Sequence, residues 1–190
     1  MESGLHEDKT FENIDFSEKR LTNSEFQNCE FINCNFTKSN LSSNDFMDCT
    51  FKSCNFSLTN LLDTGLKSCA FMDSKLMGLD FSKCNSFLFS VSFQNCTLDY
   101  SSFYKIKMKK TNFIDCSMKE VDFSETDLSS SVFKNCDLLN TTFMGTNLEK
   151  VDFRSAYNYA FDPESNKIKK AKFSIQGVAG LLTKYNIDII

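Results

Sequence analysis

Phe26-Gln27-Asn28-Cys29-Glu30-Phe31-Ile32-Asn33-Cys34-Asn35-Phe36 repeats itself every five residues, with Phe at 26, 31 and 36 and Cys at 29 and 34. Followed outward, the frame holds through fifteen consecutive slots: Phe11, Phe16, Leu21, Phe26, Phe31, Phe36, Leu41, Phe46, Phe51, Phe56, Leu61, Leu66, Phe71, Leu76 and Phe81. It resumes at Phe93 and continues through Leu98, Phe103, Met108, Phe113, Met118, Phe123, Leu128, Phe133, Leu138, Phe143 and Leu148 to Phe153. Eighteen of the 21 Phe fall in this frame or its continuation at Phe173. Chance would place about one in five there, so the pattern is a structural repeat.

Two residues before each slot stands a small side chain. All nine Cys occupy this position, together with Ser and Thr such as Ser39, Thr59, Thr126 and Thr146. The residue between is often Asn or Asp, as at Asp15, Asn35, Asn55, Asp122 and Asp152. A period of five is neither the 3.6 of a helix nor the 2 of a simple strand. Two inward residues and then a turn describe a chain that rounds a corner every five residues. Four corners close a coil of 20 residues, and the columns agree: Phe11, Phe31, Phe51 and Phe71 lie 20 apart, as do Cys29, Cys49 and Cys69. The expected fold is an all-β solenoid of about eight coils over residues 11–173, with residues 1–10 as an N-terminal segment. Stacked at ~4.8 Å per coil, it makes a rod of roughly 35–40 Å.

Between Ser86 and Phe93 the spacing is seven, so two residues are inserted. If 87–92 bulges outward, Phe93 lands over Phe71 and the all-Phe column continues. One domain therefore runs through the break. Phe87, Leu88 and Phe89 put three apolar residues in that bulge and are a candidate contact site.

This frame also explains the composition. Trp is absent and Pro occurs once, at 163, because a narrow repeated slot excludes the one and a stacking ladder excludes the other. The Cys spacings never form CxxC, and an inward Cys behaves as a small hydrophobe, so free thiols are expected, with no metal and no cofactor. His6 reads as a terminal residue, leaving acid–base chemistry without its usual agent. Gly145, Gly177 and Gly180 are isolated and make no phosphate loop, and the periodic Ser and Thr single out no triad, so the chain is not expected to be an enzyme. No apolar run reaches the ~20 residues of a membrane span. Met1 to Thr10 resembles no signal peptide, which predicts a cytoplasmic protein with reduced thiols.

Charge is uneven. The formal net charge is −4, and residues 1–86 hold 13 acids against 8 bases. Glu12, Asp15, Glu18, Glu25 and Glu30 gather near one end and Asp122, Glu125 and Asp127 near the other, with Lys105, Lys107, Lys109 and Lys110 between them.

Beyond the repeat, residues 174–190 read as a short α-helix capped by Ser174, with Ile175, Val178, Leu181 and Leu182 on one face. Asn186 stops it, and Ile187, Ile189 and Ile190 read as a strand. A solenoid needs its open end covered. The same apolar tail predicts a two-fold homodimer through Val178, Leu181, Leu182, Tyr185, Ile187, Ile189 and Ile190.

The five-residue frame resembles the pentapeptide-repeat family, whose consensus is A(D/N)Lxx. It departs from that consensus in using Cys, Ser or Thr for Ala and Phe more often than Leu. The resemblance implies a right-handed quadrilateral β-helix. With the C-terminal helix it extends to the Qnr and MfpA quinolone-resistance subset, which implies dimerisation through that helix. It further implies binding to DNA gyrase or topoisomerase IV by imitation of DNA, with Asp122, Glu125 and Asp127 among the acids, no direct nucleic-acid contact and no catalysis. A scaffold or interaction module with a different partner is the alternative.

Overall fold

Phe31 lies over Phe11 with ring centroids 4.8 Å apart and planes 16° apart. The column climbs through Phe51, Phe71, Phe93, Phe113, Phe133 and Phe153 to Phe173 at 4.8–5.4 Å per step. A computed structural model describes residues 3–21 and 23–188, and within it this column runs up the inside of one wall of a four-sided parallel β-solenoid. Adjacent columns meet edge to face, as where Phe93 and Phe103 sit 6.0 Å apart at 77°. Stacking along a column and T-shaped contact across columns are both geometries that aromatic rings prefer. Phe is therefore favoured over Leu wherever four columns converge.

Two faces carry strands long enough to name. One holds β1 (Gly4–Glu7), β3 (Ser24–Gln27), β5 (Asp45–Met47) and β7 (Gly65–Lys67), all parallel. The other holds β2 (Thr10–Glu12), β4 (Glu30–Ile32), β6 (Thr50–Lys52) and β8 (Cys69–Met72). It continues through β9 (Val91–Gln94), β10 (Asn112–Ile114) and β11 (Val132–Lys134). Single bridges continue the register on the remaining faces, as at Asn35↔Asn55 and Asp122↔Thr142. Partners lie 20 residues apart except across the break, where Phe71 pairs with Phe93. The two inserted residues thus leave the column intact.

The corners explain the Asn and Asp. At the corners the Asn or Asp before the slot accepts from the amide two residues on, as Asn55 Oδ1 does from Ser57 N at 3.0 Å and Asp122 Oδ1 from Ser124 N at 2.8 Å. This is the Asx turn. The residue two after the slot has positive φ, as at Asn28, Asn33, Asp48, Asp115 and Asn135. Asn and Asp tolerate that region better than other side chains.

The small slot holds a donor as well as a hydrophobe. Thr59 and Thr126 donate to the carbonyls of Phe36 and Phe103 at 2.7 and 2.6 Å. Cys54 and Cys136 place their thiols against the equivalent carbonyls of Phe31 and Phe113, at 3.3 and 3.4 Å. Cys, Ser and Thr are interchangeable here because each can donate to a carbonyl of the preceding coil, which Ala cannot. All nine Cys are free. Burial pushes the Cys49 thiol up to about 11 and that of Cys69 higher still.

Both ends differ from the expected layout. Within the expected N-terminal segment 1–10, Gly4–Glu7 already belong to the solenoid: β1 pairs in register with β3. His6 lies five residues before Phe11, in frame, and stacks on Phe26 at 4.9 Å and 17°. Its flat ring fills a slot built for Phe. At the other end the expected α-helix is a pair of 3-10 segments, Gln176–Leu181 and Thr183–Tyr185. Ile175, Val178 and Leu181 are spaced by three, which suits three residues per turn rather than 3.6. Ser174 does cap the segment, its Oγ accepting from Gly177 N at 3.1 Å, and Asn186 ends it with φ of 49°. Ile187 is not in a strand, and Ile189 and Ile190 lie outside the described residues.

Candidate functional site

Three places depart from the uniform coil: the break near 82–92, the acid–lysine surface beside it, and the C-terminal cap. The break comes first because there the ladder itself fails. One coil further on, Lys105 N donates to Ser124 O at 3.1 Å, Asp127 N to Ile106 O at 2.9 Å and Met108 N to Asp127 O at 2.9 Å. The equivalent bonds from Lys83 N to Tyr104 O, from Lys107 N to Cys84 O and from Ser86 N to Lys107 O are absent. Lys83 N turns instead to Asp80 O, in a 3-10 turn over Phe81–Lys83 whose start is held by Asp80 Oδ1 on Ser82 N. The coils part into a seam with a cavity of about 380 Å³, lined by Phe81, Cys84, Ser86, Phe89, Ile106 and Lys107, among others.

The bulge divides by side chain. Asn85 Oδ1 accepts from Phe87 N at 2.9 Å and turns the chain outward, and Leu88 takes φ of 57°. Phe87 and Leu88 stand 66% and 63% exposed, with Lys67 Nζ 5.8 Å from the Phe87 ring centroid. Phe89 instead tucks against the core. Ser90 N then reaches Leu66 O and rejoins the ladder. Of the three apolar residues of the candidate contact site, two stand at the surface and one packs inward. Cys84 is half-buried at the seam, and burial raises its thiol pKa.

Next to the seam the acids are not bare. Lys105 Nζ lies 3.5 Å from Glu125 Oε2, and Tyr104 donates to Glu125 Oε1 at 3.0 Å. The Tyr104 hydroxyl and the Glu125 carboxylate together raise the Lys105 pKa. Lys109 Nζ lies 3.3 Å from Asp127 Oδ2. Partial burial opposes ionisation of Asp127, but the Ser129 amide and hydroxyl and Lys109 outweigh it and hold the carboxyl low. Asp122 is engaged in its own Asx turn. The lysine cluster and this acidic set are one interleaved surface, because residues 20 apart in sequence are one rung apart in space. Near the N-terminal end, Glu7, Asp8 and Asp48 line a shallow cleft together.

At the cap, Leu181 is buried within its own chain, so it is not available to a partner as expected. Leu182 is half-buried, whereas Val178, Tyr185 and Ile187 are exposed, as is Ile175 at 90%. Gly177 and Gly180 are not isolated. Three residues apart on a 3-10 turn they share one face, and both sit on Tyr159: its hydroxyl lies against Gly177 and its carbonyl against Gly180. Tyr159 Oη is buried without a hydrogen bond among the described residues, and burial raises its pKa. Lys184 clamps the cap to the coil, 2.7 Å from Asp162 and 2.6 Å from Glu164. Its hydrogen bonds hold both carboxyls below their ordinary values of 3.8 and 4.5. A depressed carboxyl stabilises above its unfolded pKa and ceases to as pH falls through its folded one. Cap docking should therefore be constant above about pH 5 and weaken on further acidification. Hydrogen exchange of the residue 176–185 amides across pH checks this, and Lys184→Ala should abolish the acid-dependent step.

Among the described residues no group of three or more His, Cys, Asp or Glu is placed to hold a metal ion, and no helix is long and apolar enough to cross a membrane.

Comparison with known proteins adds the following. A family model described as "Pentapeptide repeat region" matches residues 86–157, and one described as "Pentapeptide repeats (8 copies)" matches residues 10–42. No curated protein matches in sequence. Among solved structures, a trypsin-treated variant of QnrB1, a plasmid-mediated fluoroquinolone resistance protein, superposes with a TM-score of 0.66 at 22% identity, covering 98% of this chain and 91% of that one. Full-length QnrB1 gives 0.53 at 19% identity, covering 96% and 100%. HetL, a pentapeptide-repeat protein involved in heterocyst differentiation regulation from the cyanobacterium Nostoc sp. strain PCC 7120, gives 0.64 at 13%, covering 91% and 87%. At these identities the likeness is one of fold.

Proposed function

Since the chain belongs to the pentapeptide-repeat family, we propose that it acts without catalysis, by binding a protein partner at the broken seam, and that the partner is a type II topoisomerase, DNA gyrase or topoisomerase IV. The observation that carries the reading is the tip: Phe87 and Leu88, both more than 60% exposed, project from the place where two extra residues interrupt the coil. An apolar pair held out beside a polar rim marks a contact site, and aromatic anchors dominate binding energy in such sites.

Imitation of DNA is the weaker form of the same reading. Glu125 and Asp127 are neutralised by Lys105 and Lys109, and a net charge of −4 gives a modest field. What favours it is the cleft of Glu7, Asp8 and Asp48 at the other end. The exposed Ile175, Val178, Tyr185 and Ile187 support a homodimer through the caps, which would double the rod to roughly 75–90 Å.

The test is a gyrase supercoiling assay with and without ciprofloxacin. The protein should protect or inhibit at micromolar concentration. The Phe87→Ser/Leu88→Ser pair, which removes no core contact, should weaken that effect at least tenfold. If the pair acts like the parent while Glu7→Gln/Asp8→Asn/Asp48→Asn loses the effect, mimicry replaces the tip. If neither protection nor inhibition occurs, the partner is not a topoisomerase and the scaffold reading stands.

A further inference from the structure

The seam is an open strand edge on a face whose ladder is otherwise closed. Tyr104 O, Lys107 N and Lys107 O on one side, and Cys84 O and Ser86 N on the other, make no hydrogen bond among the described residues. Everywhere else on this face the register is continuous, as at Gly65↔Asn85 below the seam and Lys107↔Asp127 above it. An unpaired row of backbone donors and acceptors is a template for another strand, and such edges bind extended peptides by strand addition.

We propose that the seam takes an extended acidic segment of the partner protein, which supplies the backbone hydrogen bonds that the ladder lacks there. This deepens the protein-binding reading above and rests on it. Three features select that occupant. The first is size: about 380 Å³ falls within the range of ligand pockets, ~300–1,000 Å³. It suits about three extended residues, some 10 Å of strand. The second is the floor. Phe81, Phe89 and Ile106 offer an apolar seat for the inward-facing side chains of such a strand, whose alternate residues face opposite ways. The third is charge. Lys107 lines the opening, exposed and without a salt bridge among the described residues, and Lys105 stands beside it at the rim, sharing its charge with Glu125. The acids nearest the opening are already committed: Asp80 to Ser82, and Glu125 to Lys105 and Tyr104. A basic rim around an apolar floor and free backbone groups fits an extended acidic strand carrying one or two apolar side chains. The exposed Phe87 and Leu88 stand at one end of the seam, where they would cover the inserted strand.

The probe is a fluorescein-labelled eight-residue peptide alternating valine with glutamate or aspartate, titrated by anisotropy into the full-length protein. Saturable binding is expected, weakened roughly tenfold on going from low salt to about 0.5 M, as screening of close charges requires. Lys107→Glu, a surface change whose folding is checked by circular dichroism, should weaken it at least fivefold. Hydrogen exchange should show the Ser86 and Lys107 amides protected on binding. The decisive control is the same peptide with alternate amide nitrogens methylated. Strand addition requires that it lose binding, so undiminished binding overturns the proposal. So does equal binding of a lysine-for-acid peptide, or the absence of binding at millimolar peptide. The two readings fail separately. Peptide binding without any effect on gyrase keeps the strand site and removes only the topoisomerase; gyrase protection without peptide binding overturns the strand site alone.

Discussion

Phe113→Ala is expected to lower the unfolding free energy by about 3–5 kcal/mol, the range for removing a buried Phe. The ring is 0% exposed. It is stacked between Phe93 at 5.3 Å and Phe133 at 4.8 Å, and it meets Phe103 and Phe123 edge to face at 6.3 and 5.8 Å. Neighbours cannot collapse into the gap, because each belongs to a column whose height is fixed by the backbone ladder at ~4.8 Å. The cavity therefore persists and the cost falls toward the upper end. Position within the column should matter as much as burial. A solenoid is nearly one-dimensional, each coil touching only its neighbours. A hole at the centre divides the rod into two short arrays, whereas Phe11→Ala, at a half-buried end slot, only frays the first coil. Phe113→Leu should cost much less, about 1–1.5 kcal/mol, since Leu98, Leu128 and Leu138 fill the same kind of slot fully buried. Guanidinium unfolding followed by circular dichroism measures all three. A loss below about 1 kcal/mol for Phe113→Ala would show that the column can relax, contrary to this account.

The fold was legible in the sequence because burial and period coincide: a slot that must be apolar every five residues leaves its mark in Phe and Leu directly. The phase break was equally legible, since two extra residues between Ser86 and Phe93 are a count. What the seam does was not. It opens because Lys83 N turns back to Asp80 O, a backbone event whose only trace in sequence is Asp80 two residues before Ser82. The same Asx pattern occurs at ordinary corners, so the residues alone do not mark it. The pairing of Glu125 with Lys105 was hidden for a different reason, because charge counted along the chain separates residues that the 20-residue coil stacks. His6 stands in frame five residues before Phe11, but a lone imidazole near a terminus carries no mark of a ladder otherwise made of Phe, Leu and Met. At the C-terminus the spacing of three shared by Ile175, Val178 and Leu181, and by Gly177 and Gly180, was visible. It suits a 3-10 turn, but over so short a stretch it overlaps the i, i+3 spacing of an α-helix, which is the commoner element.

Gly180→Ala is expected to lift the C-terminal cap from the last coil. An added Cβ at Gly180 would lie 2.0 Å from the carbonyl oxygen of Tyr159, a backbone atom, and 3.3 Å from its ring. The same Gly180 accepts from Phe161 N through its own carbonyl at 3.1 Å, so the two segments cannot separate without losing that bond. Two effects oppose one another. Replacing Gly stiffens the unfolded chain and stabilises by about 0.4–1 kcal/mol; forcing a methyl into a filled contact costs about 1–3 kcal/mol. Because the obstacle is backbone rather than the end of a flexible side chain, the second should win, and the cap should come away locally while the Phe columns stay closed. The readouts are faster exchange of the residue 176–185 amides with little change in the main unfolding transition. Gly177→Ala should be milder, since the obstacle is the Tyr159 side chain, its hydroxyl at 2.0 Å and Cζ at 2.8 Å, rather than backbone, and Tyr159→Phe should relieve it in part. Detachment also tests assembly. If the caps join two copies, the parent should sediment as a dimer at tens of micromolar and Gly180→Ala as a monomer. A parent that sediments as a monomer ends the dimer reading, whereas a dimeric variant with a released cap places the contact elsewhere on the rod.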